Sequence, residues 1–262
     1  MSSDQPLPGQ ADGVFETMRL MQSRIPLGDY HFDRLFNGMQ TLQIDVPAGF
    51  TRERLTREII QLCRKNKQEQ AARVRLTVSR GNTSFTAGQA LYYTIESSPL
   101  KVAVEYPGLV VDLFPDGRKA IDSFANSKTI NRLLYSMSHL YVLKNKLDSC
   151  LVLNPHDRIC DATIDNVFCI RNRMIYTPPL SEGGIAGVMR RFLLEQMQQM
   201  GFLAQEKIMD DEFLKHSDEI FLSNAVRGIR PVRRFGEKEF GLSIGSSLAK
   251  KVESILVTQA NA

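Results

Sequence analysis

The segment FANSKTINRLLY, residues 124–135, holds one lysine, Lys128, between small polar residues and an apolar-periodic run. Its place at the predicted start of a helix, after Asn126 and Ser127, favours partial burial. A desolvated lysine has a lowered pKa and becomes a nucleophile or a base. A solvated surface lysine is the commoner case, so Lys128 taken alone leaves both interpretations open.

The loop GGIAGVMR, residues 183–190, is a second candidate because it opens a predicted helix. Its glycines leave backbone N–H groups accessible, and the positive end of the helix dipole favours an anion, so the loop suits a phosphate. It is neither a Walker loop nor GxGxxG. An ordinary glycine turn before a helix is the alternative.

Three charged residues could also contact a ligand. Asp161 lies toward the end of a short β segment and could pair with a protonated heterocyclic nitrogen, or it could simply occupy a turn. Arg34 lies on the polar side of a predicted helix and Arg75 in a predicted strand. Either arginine could clamp a carboxylate or phosphate, or be a surface charge.

The elements that must position these residues are a mixture of strands and helices. Strands are predicted at 13–22, 72–80, 91–97, 101–106, 149–154, 158–162, 166–170, 173–177 and 219–226, and helices at 30–42, 51–65, 129–146, within 181–200 and at 246–258. The segments over 149–177 are typical of an antiparallel, barrel-like array. The helix at 129–146 is expected to bury Ile130, Leu133, Leu134, Met137, Leu140 and Tyr141. Pro and Gly in 106–128 place a domain boundary near residue 117, between a smaller α/β domain (1–117) and a larger domain (118–262).

Composition argues against several classes of protein. The 262 residues are 43% hydrophobic and 24% charged, as in an ordinary globular protein. The net charge of +4 has no long basic stripe, so no nucleic-acid partner is expected. No apolar run approaches the ~20 residues of a membrane span, so no membrane partner is expected. The four cysteines lack metal-binding spacing, and the N-terminus lacks a signal-peptide pattern, which predicts a cytoplasmic protein with buried thiols and no metal.

The order of the motifs is more specific than any one of them. HFDRL, RVRLTVSRG, SKTINRL, DATIDNVF, IYTPPL, GIAGVMRR and DEIFLSNAVRGIRPV follow one another between Gly13 and Val232. This series resembles the class IV (fold type IV) family of pyridoxal-phosphate (PLP) enzymes, which includes branched-chain and D-amino-acid aminotransferases and aminodeoxychorismate lyases. The resemblance implies an α+β fold of two domains with the cofactor between them. It also implies a small-molecule amino substrate and a homodimer.

The same resemblance implies roles for individual residues. Lys128 would be the Schiff-base lysine and would also move the substrate's Cα proton. Asp161 would pair with the pyridinium nitrogen, where the family usually has the longer glutamate. The groups expected to hold the phosphate are Arg34, the backbone N–H groups of Val188 and Met189, and the turn at Asn224 and Ala225, where Ala225 replaces a hydroxyl residue. The substrate is expected to meet Phe15, Thr17, Arg75, Arg80 and Arg227. Core packing is the alternative for Phe15, and His31 is expected to fix local structure near Arg34.

Local details favour the lyase branch of the family. SKTINRL resembles the lyase form K-x-x-N-R-L, and GVMR and SNAVRGIRPV also fit that branch. The predicted activity is that of 4-amino-4-deoxychorismate lyase, which releases pyruvate and 4-aminobenzoate for folate biosynthesis. A branched-chain or D-amino acid aminotransferase is the alternative, since one lysine can serve both reactions. A third alternative is a non-catalytic relative, in which Asp161 replaces the usual glutamate because the activity has been lost.

Overall fold

A computed structural model of the protein describes residues 12–80, 91–100 and 107–261. The chain divides into two compact units: unit 1 comprises residues 1–101, 127–131 and 257–262, and unit 2 comprises residues 102–126 and 132–256. The division thus differs from a single boundary near residue 117, because two short segments of the second half belong to unit 1. The predicted strand at 101–106 lies outside the described residues.

Unit 1 is built on a three-stranded antiparallel sheet of β1 (Gly13–Met21), β2 (Ala71–Arg80) and β3 (Leu91–Pro99), in that order, with the helices α1 (Gly28–Thr41) and α2 (Arg52–Lys65). Successive side chains of a strand point to opposite faces. One face therefore packs into an apolar core with the helices, through Val14, Met18, Leu20, Val74, Leu76 and Val78. Phe15, Thr17 and Arg75 alternate with these residues and lie on the other face.

Unit 2 is built on a nine-stranded mixed sheet. Its strands are β4 (Leu109–Arg118), β5 (Ser149–Leu153), β6 (Ile159–Ala162), β7 (Asn166–Arg171), β8 (Met174–Thr177), β9 (Leu203–Glu206), β10 (Glu219–Asn224), β11 (Gly228–Phe235) and β12 (Lys238–Glu239). They lie in the order β6-β5-β4-β11-β10-β7-β8-β9, with β12 on β11. The antiparallel pairs β5–β6 and β7–β8 agree with the prediction, whereas β4 runs parallel to β5 and β11. The curled, half-barrel sheet confirms the predicted α+β class.

The remaining helices are α3 (Leu133–Lys144), α4 (Val188–Gln196), α5 (Asp211–Lys215) and α6 (Ser243–Asn261), with a 3₁₀ turn at Leu180–Glu182. Neither β9 nor α5 was predicted, because β9 (LAQE) is mostly exposed and lacks β-branched residues, and the five residues of α5 are too few for a helical pattern. None of the helices in the described ranges has the length and apolar character needed to cross a membrane. All four cysteines are free and buried, which agrees with the burial expected for Cys150 and Cys169 in strand-like apolar runs.

The buried face of α3 was predicted correctly only in part: Leu134 and Tyr141 pack against a buried apolar cluster, but three other residues do not. Leu133, Met137 and Leu140 are 71%, 47% and 55% exposed. The helix instead turns Ser138 and Val142 inward. Residues 133–143 are apolar or uncharged around the whole helix apart from His139, so periodicity could not identify the outward face.

Candidate active site

Lys128 lies in an extended segment beside β1, so the prediction of a helix start there is wrong. The Phe15 N–H donates to the carbonyl of Lys128 at 3.0 Å, and the Ile130 N–H donates to the carbonyl of Gly13 at 2.9 Å. The backbone around Lys128 is therefore committed to strand pairing on β1, and α3 begins only at Leu133.

The ring of Phe15 contacts two cations. The Nζ atom of Lys128 lies 4.6 Å from the ring centroid, and Cζ of Arg75 lies 4.2 Å from it. Both distances are within the range of cation–π attraction. Thr17 is the register partner of Arg75 and shares this face. The structure thus brings together Lys128, Phe15, Thr17 and Arg75, and the Phe15 ring is buried beside charges rather than in the apolar core.

Arg80 is not brought to this face. Its guanidinium donates to the carboxylate of Asp12 at 3.1 Å and to the carbonyl oxygen of Gln43 at 2.9 Å. Arg80 is separated from Arg75 by an odd number of positions along β2, so strand alternation places the two side chains on opposite faces. Arg80 therefore ties together segments of unit 1 rather than joining the substrate candidates.

Arg34 is held by a buried carboxylate that the sequence analysis missed. Its Nε and Nη2 atoms donate to Glu16 at 2.7 and 2.6 Å, and Nδ1 of His31 lies 2.7 Å from the same carboxylate. Burial raises the pKa of Glu16, but the charge of Arg34 and hydrogen bonds from Arg34 and His31 outweigh it and lower the pKa to about 2. Burial lowers the pKa of His31 against the opposing effect of Glu16. The sequence did carry a sign of this carboxylate, because Glu16 lies between Val14 and Met18 on the face of β1 that points into the core.

Asp161, near the end of β6, is 2% exposed and accepts hydrogen bonds from neutral donors. The Tyr135 hydroxyl and the Ile185 N–H donate to Oδ2 at 2.9 and 3.0 Å, and Nδ2 of Asn166 donates to Oδ1 at 3.2 Å. Burial raises the pKa of Asp161 to about 6, although the hydrogen bonds from Ile185 and Tyr135 and the charge of Lys119 act against it. Tyr135 carried no signal in the sequence, while Asn166 lies within the DNVF motif.

The N-terminus of α4 suits an anion, as predicted for Val188 and Met189. Within the described part of the chain no side chain caps this end, so the first N–H groups of the helix remain available. A Cβ atom on Gly187 would stand 1.7 Å from Oδ1 of Asn166, so a side chain before Val188 would displace Asn166. The preceding loop is fixed by Asn126, whose Nδ2 donates to the carbonyl oxygens of Leu180 and Gly184 at 2.8 and 2.6 Å.

Asn224 shapes the turn between β10 and β11. Its Oδ1 accepts from the backbone N–H groups of Val226 and Arg227 at 2.9 and 2.7 Å, and its Nδ2 donates to Asp165 at 2.6 Å. The side chain of Asn224 is thus committed to the turn, and a ligand would meet the backbone at Asn224 and Ala225. Arg227 is exposed in the same turn of unit 2, whereas the other substrate candidates belong to unit 1.

The residues present fit PLP when each unit is considered by itself. Unit 1 supplies a primary amine for the aldehyde, Lys128, and a guanidinium for the phosphate, Arg34. Unit 2 supplies an open helix N-terminus for the phosphate. It also supplies Asp161, a buried carboxylate that suits a protonated ring nitrogen.

Comparisons with known proteins agree with this chemistry. The model of the amino-transferase class IV family matches residues 13–235. The chain is 25% identical over 248 residues to the aminodeoxychorismate lyase of Bacillus subtilis, covering 90% of this chain and 81% of that protein. It is 24% identical over 255 residues to a putative branched-chain-amino-acid aminotransferase of Methanocaldococcus jannaschii, covering 93% and 87%.

The fold is shared with solved structures as well. A putative 4-amino-4-deoxychorismate lyase from Legionella pneumophila superposes with a TM-score of 0.85 at 20% identity, covering 97% of this chain and 96% of that chain. These findings confirm the resemblance to fold type IV enzymes, a family that depends on PLP and contains lyases and transaminases. The chain belongs to the class IV aminotransferase family.

Proposed function

We propose that the protein is a PLP-dependent 4-amino-4-deoxychorismate lyase that releases pyruvate and 4-aminobenzoate, a precursor in folate biosynthesis. The observation that carries the proposal is the face formed by Lys128, Phe15 and Arg75. The substrate is a ring that bears carboxylates. Arg75 offers a guanidinium for a carboxylate, and Phe15 offers an aromatic surface beside the reactive amine.

The chain's own residues would divide the work as follows. When bound, PLP supplies the electron sink for negative charge developing at the substrate's Cα. The Nζ atom of Lys128 would anchor the cofactor and would take the proton from the amine-bearing ring carbon. The C–O bond at the adjacent ring carbon would then break, the ring would become aromatic, and a proton delivered to the methylene carbon of the departing enolpyruvyl group would give pyruvate. Arg75 orients the substrate through a carboxylate, and Thr17 lies beside it on the same face.

The groups proposed to hold the cofactor are those that the family resemblance implies. Arg34, aligned by Glu16, and the N–H groups of Val188 and Met189 serve the phosphate. The backbone at Asn224 and Ala225 supplies the second phosphate turn. Asp161 pairs with the ring nitrogen, and its burial makes that cationic partner favourable.

The test is to supply 4-amino-4-deoxychorismate to the PLP-loaded protein and to quantify pyruvate and 4-aminobenzoate. Equal amounts of both products are expected from the wild type and from Lys144→Ala, a control at an exposed lysine of α3. Lys128→Ala should give neither product and no visible absorbance that borohydride removes. A wild-type protein that stays colourless after PLP addition would contradict the proposal of a PLP-dependent enzyme and would support a non-catalytic relative.

The second candidate is a branched-chain or D-amino acid aminotransferase. The similarity to the putative branched-chain-amino-acid aminotransferase of M. jannaschii favours it about as strongly as the lyase relative favours the first proposal. A coloured protein that gives no 4-aminobenzoate should then be supplied with D- and L-amino acids and keto-acid acceptors. Formation of a new amino acid that depends on Lys128 would establish this alternative.

We also propose that the protein is a cytoplasmic homodimer, with α3 in contact with a second copy. The exposed Leu133, Met137 and Leu140 are spaced four and three residues apart and form one stripe. No Asp, Glu, Lys or Arg lies between residues 133 and 143, so a two-fold contact would oppose no like charges. Four free, buried cysteines fit a reducing cytoplasm.

Light scattering after size exclusion tests the dimer. The wild type should have twice the chain mass, and Leu140→Glu should shift it toward the monomer. Val46→Glu, at a comparably exposed apolar residue of unit 1, should remain dimeric. A monomeric wild type, or a dimer unaffected by Leu140→Glu, would contradict the proposed interface.

A further inference from the structure

We propose that Tyr135 is a positioning residue that orients the carboxylate of Asp161, so that Oδ1 is presented to the ring nitrogen of the cofactor. This inference rests on the proposed binding of PLP and adds to it a residue to which the sequence analysis assigned no role. Tyr135 lies on α3 and Asp161 on β6, 26 residues apart in sequence, and their side chains meet at 2.9 Å.

The orientation follows from counting hydrogen bonds at the carboxylate. Each oxygen of a carboxylate has about two acceptor sites. The Tyr135 hydroxyl and the Ile185 N–H occupy Oδ2, whereas among the described residues Oδ1 accepts one hydrogen bond, from Nδ2 of Asn166 at 3.2 Å. Oδ1 is therefore the oxygen with capacity for a further donor, and a protonated ring nitrogen offers one N–H.

The surrounding backbone gives Asp161 no freedom to compensate. Asp161 pairs with Val152 in the β5–β6 ladder, which fixes its Cα. A Cβ atom on Gly184 would stand 2.3 Å from the carbonyl oxygen of Cys160 and 3.9 Å from Cγ of Asp161, so the glycine loop packs directly against this carboxyl. Because β6 and the glycine loop are both fixed in place, the hydrogen bond from the Tyr135 hydroxyl to Oδ2 sets the rotation of the Asp161 carboxyl group.

The protonation of Tyr135 is also defined, and it determines which form of Asp161 the hydrogen bond favours. Burial and the charge of Asp161 raise the pKa of Tyr135 well above 10, so the phenol is a neutral donor. The other titratable groups facing Asp161 are Cys160, whose thiol pKa is raised by burial, and Lys119. The Nζ atom of Lys119 lies 6.0 Å from the centroid of the Tyr135 ring. Donation from Tyr135 favours the anionic form of Asp161, which is the form that pairs with a protonated nitrogen.

The experiment compares Tyr135→Phe with Tyr141→Phe, the same change at another tyrosine of α3. The dissociation constant of PLP is measured by absorbance titration of apoprotein between pH 5 and 8. At pH 7.5, Tyr135→Phe should weaken PLP binding about tenfold, the usual size of a hydrogen bond to a charged group, while Tyr141→Phe changes it less than about twofold. The pH below which affinity is lost should also be higher in Tyr135→Phe, because Asp161 then protonates more readily.

A double-mutant comparison separates positioning from simple packing. In an Asp161→Asn background, Tyr135→Phe should change PLP affinity less than about twofold, because the charge it acts on has gone. A tenfold loss that persists in that background, or wild-type affinity in Tyr135→Phe itself, would overturn the inference while leaving the proposed function intact. Absence of a Lys128-dependent absorbance band in the wild type would overturn the proposed function and the inference together.

Discussion

Each unit buries a carboxylate that belongs to the candidate site, and burial among different donors shifts the pKa values of these two carboxylates in opposite directions. Glu16 in unit 1 is 1% exposed and Asp161 in unit 2 is 2% exposed. The pKa of Glu16 falls to about 2, whereas that of Asp161 rises to about 6. Depth of burial is the same, so the difference lies in the donors that each carboxylate meets.

Glu16 meets a guanidinium, and Asp161 meets a phenol, an amide and a backbone N–H group. A buried charge is tolerated when it is paired with an opposite charge, and neutral donors offset only part of the desolvation cost. Glu16 is thus a completed ion pair whose task is to hold Arg34. Asp161 is a carboxylate suited to a cationic partner that arrives with a ligand.

The largest effect is expected from breaking the completed pair. Arg34→Met leaves Glu16 buried with His31 as its remaining side-chain partner and should lower the free energy of unfolding by about 3 kcal/mol. Arg54→Met is the control, because Arg54 is 49% exposed in its pair with Glu58 and such pairs contribute under about 1 kcal/mol. Urea unfolding of both variants at pH 7 provides the comparison. Equal losses would show that Glu16 does not depend on Arg34 for its burial.

The next prediction concerns stability as a function of pH, because Glu16 and Asp161 should change the free energy of unfolding with pH in opposite directions. Because the pKa of Glu16 is lowered from 4.5 to about 2 on folding, its contribution is present above pH 4.5 and lost as the pH falls toward 2. The pKa of Asp161 is raised from 3.8 to about 6, so its contribution is present below pH 3.8 and lost as the pH rises through 6. Each shift of about two pKa units corresponds to about 3 kcal/mol.

Urea unfolding of apoprotein from pH 2.5 to 7.5 measures both slopes. Glu16→Gln should remove the loss of stability on the acid side and be less stable than the wild type at pH 7. Asp161→Asn should remove the loss between pH 4 and 6 and be more stable than the wild-type apoprotein at pH 7. An Asp161→Asn variant that is less stable at pH 7 would show that Asp161 already has its charge satisfied.

A smaller effect should disturb the surroundings of Asp161 and leave Glu16 unchanged. In Gly187→Ala the new methyl group forces the Asn166 side chain to move, since its Oδ1 lies 1.7 Å from the Cβ position. The bonds from Asn166 to Asp161 and to the carbonyl of Ile185 are then lost, at a cost of about 2 kcal/mol and with weaker PLP binding. Gly49→Ala is the matched control, because its nearest neighbour, at 3.4 Å, is the end of the Arg54 side chain. Urea unfolding and PLP titration of the two variants test this prediction, and equal results for both variants would contradict it.

The sequence indicated which residues belong to the candidate site better than it indicated which of those residues contact one another. Phe15, Thr17 and Arg75 could be placed on one face because strand alternation is a local property, and the structure agrees. The pairing of Tyr135 with Asp161 joins a helix to a distant strand, which no local pattern encodes. Lys128 was placed at a helix start because its neighbours are apolar-periodic, but pairing with β1 overrides that preference.

The smallest predicted effect concerns His31, the neutral member of the Glu16 cluster. The Glu16 carboxylate is the acceptor, so Nδ1 of His31 carries the proton, and within the described residues its buried Nε2 has no hydrogen-bond partner. The pKa of His31 is lowered from 6.5 by burial, so the wild type loses stability as the pH falls below 6.5. In His31→Asn an amide donor takes roughly the place of Nδ1 without titrating. We expect a loss of about 1 kcal/mol at pH 7.5 from poorer packing, which shrinks by pH 5.5. Urea unfolding at the two pH values in an Asp161→Asn background, where the other titration is absent, measures this difference. A gap that widens as the pH falls would show that His31 is charged beside Glu16, and the cluster would then hold two cations rather than one.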